Sequence, residues 1–163
     1  MPKLLEILVS PNPGLHKKTS EIKQITPEIM GLIEDMTETM RKKDGMGLAA
    51  PQVGVAIKLA VVENNSKDEG DHPAPLPLTA LINPKIISYG YTLEEQGEGC
   101  LSVPNKEYKI IRPTEINVLY FDISGRRHRM RAKGMPARVI QHELDHLDGI
   151  LISDRFALQQ EEE

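Results

Sequence analysis

The chain has 163 residues, enough for one domain with a buried core. At 39% hydrophobic it is too apolar for a disordered chain, and a net charge of −4 offers no general pull toward nucleic acid or an anionic membrane. One cysteine excludes an internal disulfide, and no stretch approaches the ~20 apolar residues that span a bilayer, so a protein of the reducing cytoplasm is expected.

In chain order, Leu4 to Val9 reads as an extended piece that runs into a turn at Pro11-Asn12-Pro13-Gly14. Thr26 suits a helix N-cap, Pro27 the first helical position and Glu28 the positive end of the dipole. Ile29, Ile33, Met36 and Met40 then recur at helical spacing, and Asp44-Gly45 ends the helix. Val55 to Val62 reads as a buried strand, and residues 63–77 as a polar, Pro-rich surface loop. Leu81-Ile82 and Ile86-Ile87 read as two short strands around an Asn83-Pro84 turn. Further strands are expected over Glu107 to Ile111, Glu115 to Asp122 and Arg127 to Ala132, the last two joined at Ser124-Gly125. The final helix is expected to follow Gly134, carry Pro136 in its first turn and stop at Gly149, leaving residues 157–163 as a flexible tail. With strands first and a helix late, the expected class is α+β: one domain over residues 1–163, with largely antiparallel sheets packed around that helix.

The last helix holds His142-Glu143-Leu144-Asp145-His146, an HExxH pattern. At ~100° per residue the two histidines lie about 40° apart and one turn from each other, so both imidazoles can reach one ion. Glu143 falls on the same side, placed to take a proton from water on that ion rather than to bind it. The bland alternative is a helix with two solvated histidines. The usual third ligands are missing: the position six after His146 is Ile152, and the only later glutamates are Glu161 to Glu163. Upstream, Cys100 stands in Glu98-Gly99-Cys100-Leu101-Ser102, and a thiolate beside two imidazoles leaves a coordination position open for water. Cys100 also fits a small buried hydrophobe or a nucleophile paired with histidine. A third segment, Gly45-Met46-Gly47-Leu48-Ala49-Ala50-Pro51-Gln52, allows close backbone approach and offers the Gln52 amide, though such loops more often simply pack on a sheet.

In this order, GMGLAAPQ, EGCLS and QHELDH resemble the three signature motifs of peptide deformylases, and the likeness extends to PNPGLHKK, Asn83-Pro84 and Leu147-Asp148-Gly149. The resemblance implies removal of the formyl group from the formyl-methionine of nascent chains. By the same likeness, Cys100, His142 and His146 bind the metal and Glu143 is the general acid/base. Gln52 and the backbone N–H of Leu101 polarise the formyl oxygen, and Gly47 pairs with the substrate backbone. It further implies ferrous iron as native ion, with zinc or another divalent ion able to replace it. The partners implied are formyl-methionyl nascent peptides and a transient ribosome contact, with no DNA and no membrane. Helical spacing puts Val139 and Met135 on the His142 face, where with Met46 they are expected to line a methionine pocket with Arg138 at its rim, reaching toward solvent. The resemblance further implies an ion pair between Glu98 and Arg112, which stands just before Pro113, and this pair is expected to anchor the Cys100 segment. Competing readings are another HExxH hydrolase such as a peptidase, an inactive relative serving as a binding module, and an RNA-binding domain using Arg126, Arg127, Arg129, Arg131 and Lys133. The second lacks its usual sign, loss of Glu143 or Cys100, and the third lacks interleaved aromatic residues.

Overall fold

The Thr26 hydroxyl accepts a hydrogen bond from the Ile29 amide at 3.3 Å and so caps α1 (Pro27–Lys42), with Pro27 in the first turn. Replacing such a cap typically costs ~1 kcal/mol. The protein is described by a computed structural model over residues 1–65 and 75–162. The strands are β1 (Gly47–Ala49), β2 (Leu59–Asn64), β3 (Leu76–Tyr89), β4 (Leu93–Cys100), β5 (Val103–Pro113), β6 (Glu115–Phe121) and β7 (Arg127–Lys133). They are followed by α2 (Met135–Leu147) and α3 (Ile152–Glu161). A five-stranded antiparallel sheet runs β1-β2-β3-β6-β7, and β4-β5 form a separate antiparallel pair.

Strand periodicity divides the core in two. Leu59, Val61 and Ile82 face α1, where they meet Ile33, Met36 and Met40. Val62, Leu81, Ile116 and Val118 point to the other face and meet Ala137, Val139 and Ile140 of α2. On its far side α2 is tied to the β4-β5 pair, since Arg138 donates to the carbonyls of Ile110 and Glu94 at 3.1 and 2.7 Å. The HExxH helix therefore lies between the two sheets, and the α+β expectation holds.

Several local expectations differ. Val55 to Lys58 is irregular and β2 begins only at Leu59, because the first residues bond instead to the Ser20 segment. Asn83-Pro84 does not turn the chain. Asn83 takes φ 49° inside one long strand, where the β3–β6 register shifts, and its side chain binds the backbone of Ile22. Of the expected loop over residues 63–77, Glu63 and Asn64 belong to β2 and Leu76 and Pro77 to β3, while 66–74 lie outside the described residues. The expected tail is helical through Glu161. Phe156 packs on Tyr108 with ring centroids 5.3 Å apart, and Gln159 bonds the Ile111 backbone in both directions. On β7, Arg131 and Lys133 share Glu115, and His128 pairs with Asp122. This pairing favours a solvated face over a nucleic-acid surface.

Candidate metal centre

β4 delivers Cys100 to the face of α2 that carries both histidines. One ligand atom from each of Cys100, His142 and His146 lies within 4.8 Å of the others, with Cys100 Sγ 3.3 Å from His146 Nε2. The sulfur is further held by the Ser102 amide at 3.4 Å and by Gln52 Nε2 at 3.6 Å. Gln52 is buried. Its oxygen accepts from the Ala49 amide at 2.9 Å, which turns its NH2 toward Ser102 Oγ at 3.1 Å and the cysteine.

The donor set fits a borderline-soft divalent ion: one thiol and two imidazoles converge without a lysine or arginine among them. His146 is 1% exposed, and its Nδ1 and the Glu143 Oε2 atom are buried without a hydrogen-bond partner among the described residues. Burial lowers the His146 pKa well below its ordinary value, which keeps the imidazole neutral and its lone pair available. His142 goes the other way. Burial works against its charged form, but hydrogen bonds with Cys100 and Glu98, and the Glu143 charge, outweigh that and raise it to about 10. Binding an ion at His142 therefore releases a proton.

Glu143 is also buried, and burial is the main force pushing its pKa up to about 7. A dication alongside opposes that shift by favouring the carboxylate. Gly47 sits directly against this carboxylate, so a Cβ there would lie 2.5 Å from Glu143 Oε1 and 2.7 Å from Cγ. Gly47→Ala must displace Glu143. A misplacement near 1 Å can cost ~10²-fold in turnover, and we expect a loss of that order with bound metal unchanged. Activity within twofold of wild type would show that the Glu143 position is not critical.

Glu98 supports the centre from behind. It is 6% exposed and binds Arg112 by a fork, Nε to Oε2 at 2.6 Å and Nη2 to Oε1 at 2.9 Å, while Oε1 also meets His142 Nδ1 at 2.9 Å. The expected Glu98–Arg112 pair is thus present and buried. Burial tends to raise the Glu98 pKa, but the bonds to His142 and Arg112 prevail and hold it at about 2. Arg112 continues to Asp145 at 2.9 Å, and Asp145 to Arg155 of α3 at 2.7 Å. Sequence reasoning missed Asp145, Arg155 and Ser102, although Asp145 and Ser102 both stood inside quoted motifs.

A cavity of about 670 Å³ opens beside the centre, lined by Met46, Leu101, Met135 and Val139 together with His142 and Glu143. Arg138 lines it as well, but not as a rim residue reaching solvent. It is 7% exposed, and its guanidinium is turned inward onto Glu98, because that buried carboxylate has an acceptor to spare.

Residues 4–162 match the family model described as Polypeptide deformylase. The peptide deformylase of Picosynechococcus sp. is 45% identical over 141 residues, 86% of this chain and 73% of the relative. The crystal structure of peptide deformylase from Ehrlichia chaffeensis superposes with a TM-score of 0.90 at 34% identity, covering 98% of this chain and 91% of that one. A Met-Ala-Ser-bound structure of the enzyme from Acinetobacter baumannii gives 0.88 at 27% identity, over 95% and 99%.

Proposed function

The chain belongs to the peptide deformylase family, metal-dependent hydrolases that remove the formyl group from the N-terminal formyl-methionine of nascent polypeptides, and from that premise we propose how its residues share the work. The observation that carries the assignment is the convergence of Cys100, His142 and His146 with the buried Glu143 beside them. Cys100, His142 and His146 hold the ion. Family likeness makes ferrous iron the native choice, with zinc, which ligand softness alone would favour, as a substitute. A bound divalent ion supplies Lewis acidity, bringing the pKa of water toward neutrality.

The remaining steps fall to the chain itself. Glu143 accepts the proton of the attacking water, and oxygen adds to the small formyl carbon. The Gln52 NH2, already aimed at the centre by the Ala49 amide, and the Leu101 N–H following Cys100 stabilise the oxyanion of the tetrahedral intermediate. Glu143 then returns its proton to the leaving amine, releasing formate and the free N-terminus. Gly47 offers its backbone to the peptide at the edge of the sheet, where β1 is bonded, among the described strands, to β2 alone.

Met46, Met135 and Val139 give the methionine side chain an apolar hollow, and an unbranched thioether fits such a space with little steric demand. Val139→Trp is expected to fill it, raising KM for formyl-Met peptides about tenfold, the scale of a lost side-chain contact, with bound metal unchanged. Wild-type selectivity for formyl-Met over formyl-Ala in that variant would move the pocket elsewhere. The Met-Ala-Ser tripeptide bound to the relative from Acinetobacter baumannii supports a peptide-binding cleft of this kind.

We further assign residues 1–163 to a single catalytic domain acting in the cytoplasm, in transient contact with the ribosome where its substrates emerge. No helix among the described residues is long and apolar enough to cross a membrane. The deciding experiment is formate release from a formyl-Met peptide by anaerobically prepared, iron-loaded protein. Cleavage of internal peptide bonds without formate release would turn the assignment toward a peptidase.

A further inference from the structure

Arg138 and His142 stand one turn apart on α2, and a single carboxylate engages both. Glu98 Oε2 accepts from Arg138 Nη1 at 2.5 Å and Oε1 meets His142 Nδ1 at 2.9 Å. Glu98 comes from β4, two residues before Cys100, so the two contacts close a ring between the strand that carries one ligand and the helix that carries the other two. Arg112 also grips Glu98, but from β5, and it reaches α2 indirectly, through Nη1 on Asp145 at 2.9 Å. Arg138 ties Glu98 to α2 directly, one turn before His142. Its guanidinium is committed elsewhere too, with Nη1 on the Ile110 carbonyl at 3.1 Å and Nη2 on the Glu94 carbonyl at 2.7 Å, so it is seated between α2 and both strands of the β4-β5 pair.

We infer that Arg138 is a positioning residue of the metal centre, fixing through Glu98 the tautomer and ring orientation of His142 and the placement of the Cys100 strand against α2. The inference rests on the metal-site assignment above. Glu98, accepting from two guanidinium groups, is an ionised acceptor, so His142 donates its Nδ1–H and turns Nε2 toward the ion. Without Arg138, Glu98 Oε2 loses its direct donor from α2, and the carboxylate is left to His142 itself and to Arg112, which reaches α2 through Asp145. The His142 ring then loses part of what fixes its plane. Arg138 lines the cavity that would take the substrate, yet both its Nη atoms point away from a ligand role, because their acceptors are protein groups.

The test reads the metal directly, with Co2+ as probe. In Arg138→Met, release of Co2+ to a pyridine dicarboxylate chelator should be ~10–100-fold faster, the range for lost outer-sphere partners of metal ligands. The visible absorption bands of the cobalt protein should shift as well. Arg138→Lys keeps a charge and guards against a folding failure, but a single ammonium nitrogen cannot occupy the places of both Nη atoms that serve Glu98 and the two carbonyls, so it should move both readouts in the same direction by less. Met36→Ala, on the buried face of α1 in the other half of the core, should lower the melting temperature while leaving spectrum and release rate unchanged. Wild-type spectra and release rates in both Arg138 variants would overturn the inference. Failure of the wild-type protein to bind Co2+ at Cys100 would instead overturn the metal-site assignment.

Discussion

Glu143→Gln should retain its metal and lose turnover by ~10²–10⁴-fold, the span usual for removal of a general acid–base group. The amide is nearly isosteric, so the packing against Gly47 and the orientation of both histidines survive, while the group can no longer accept a proton from water. Stability of the metal-free protein should not fall. There the wild-type carboxylate is buried, Oε2 has no partner among the described residues, and burial raises its pKa to about 7, so a neutral amide removes an unfavourable charge, whereas a bound dication favours the carboxylate. The check is metal content, melting temperature and formate release on one preparation. Metal at wild-type level with activity down less than tenfold would remove Glu143 from the proton-transfer role. Loss of metal together with activity would mean that its carboxylate helps to hold the ion.

What the sequence showed and what it hid follow from the range of the forces involved. His142, Glu143 and His146 were legible because helical geometry fixes their relation within one turn, and α1 because its cap and apolar spacing are local signals. β4 carried no such signal. Leu93–Cys100 contains three glutamates and two glycines, poor strand formers, and it is extended because β5 pairs with it and α2 needs Glu98 and Cys100 on one side. The C-terminal helix was misread for a related reason. Its ordering comes from Phe156 on Tyr108 and from Gln159 on the Ile111 backbone, contacts 48 residues apart in the chain. Arg138 shows the same limit at the site: spacing put it on the His142 face, but only the folded position of Glu98, 40 residues upstream, turns it inward.

Cys100→Ser should weaken metal binding beyond the ~10–100-fold that lost outer-sphere partners cost, because Cys100 is proposed as one of three direct ligands. A serine hydroxyl stays protonated near neutrality, whereas a thiol beside a cation ionises and binds as thiolate. The sulfur is already held in place: it takes the Ser102 amide and lies within reach of the Gln52 NH2. Serine oxygen is smaller and sits farther from these donors, so it does not restore the site by geometry alone. What metal remains should favour harder ions, with selectivity moved from zinc and iron toward oxygen-preferring cations. Competition between Zn2+ and Mn2+ measures this directly. The thiolate also has a consequence in the unmodified protein. Ferrous iron held beside a partly exposed cysteine should make the iron form lose activity in air, since Cys100 can proceed to sulfenic and higher oxidation states, while the zinc form should persist. If the serine variant binds one ion per chain with wild-type affinity and selectivity, Cys100 is a packing residue and the third ligand lies elsewhere.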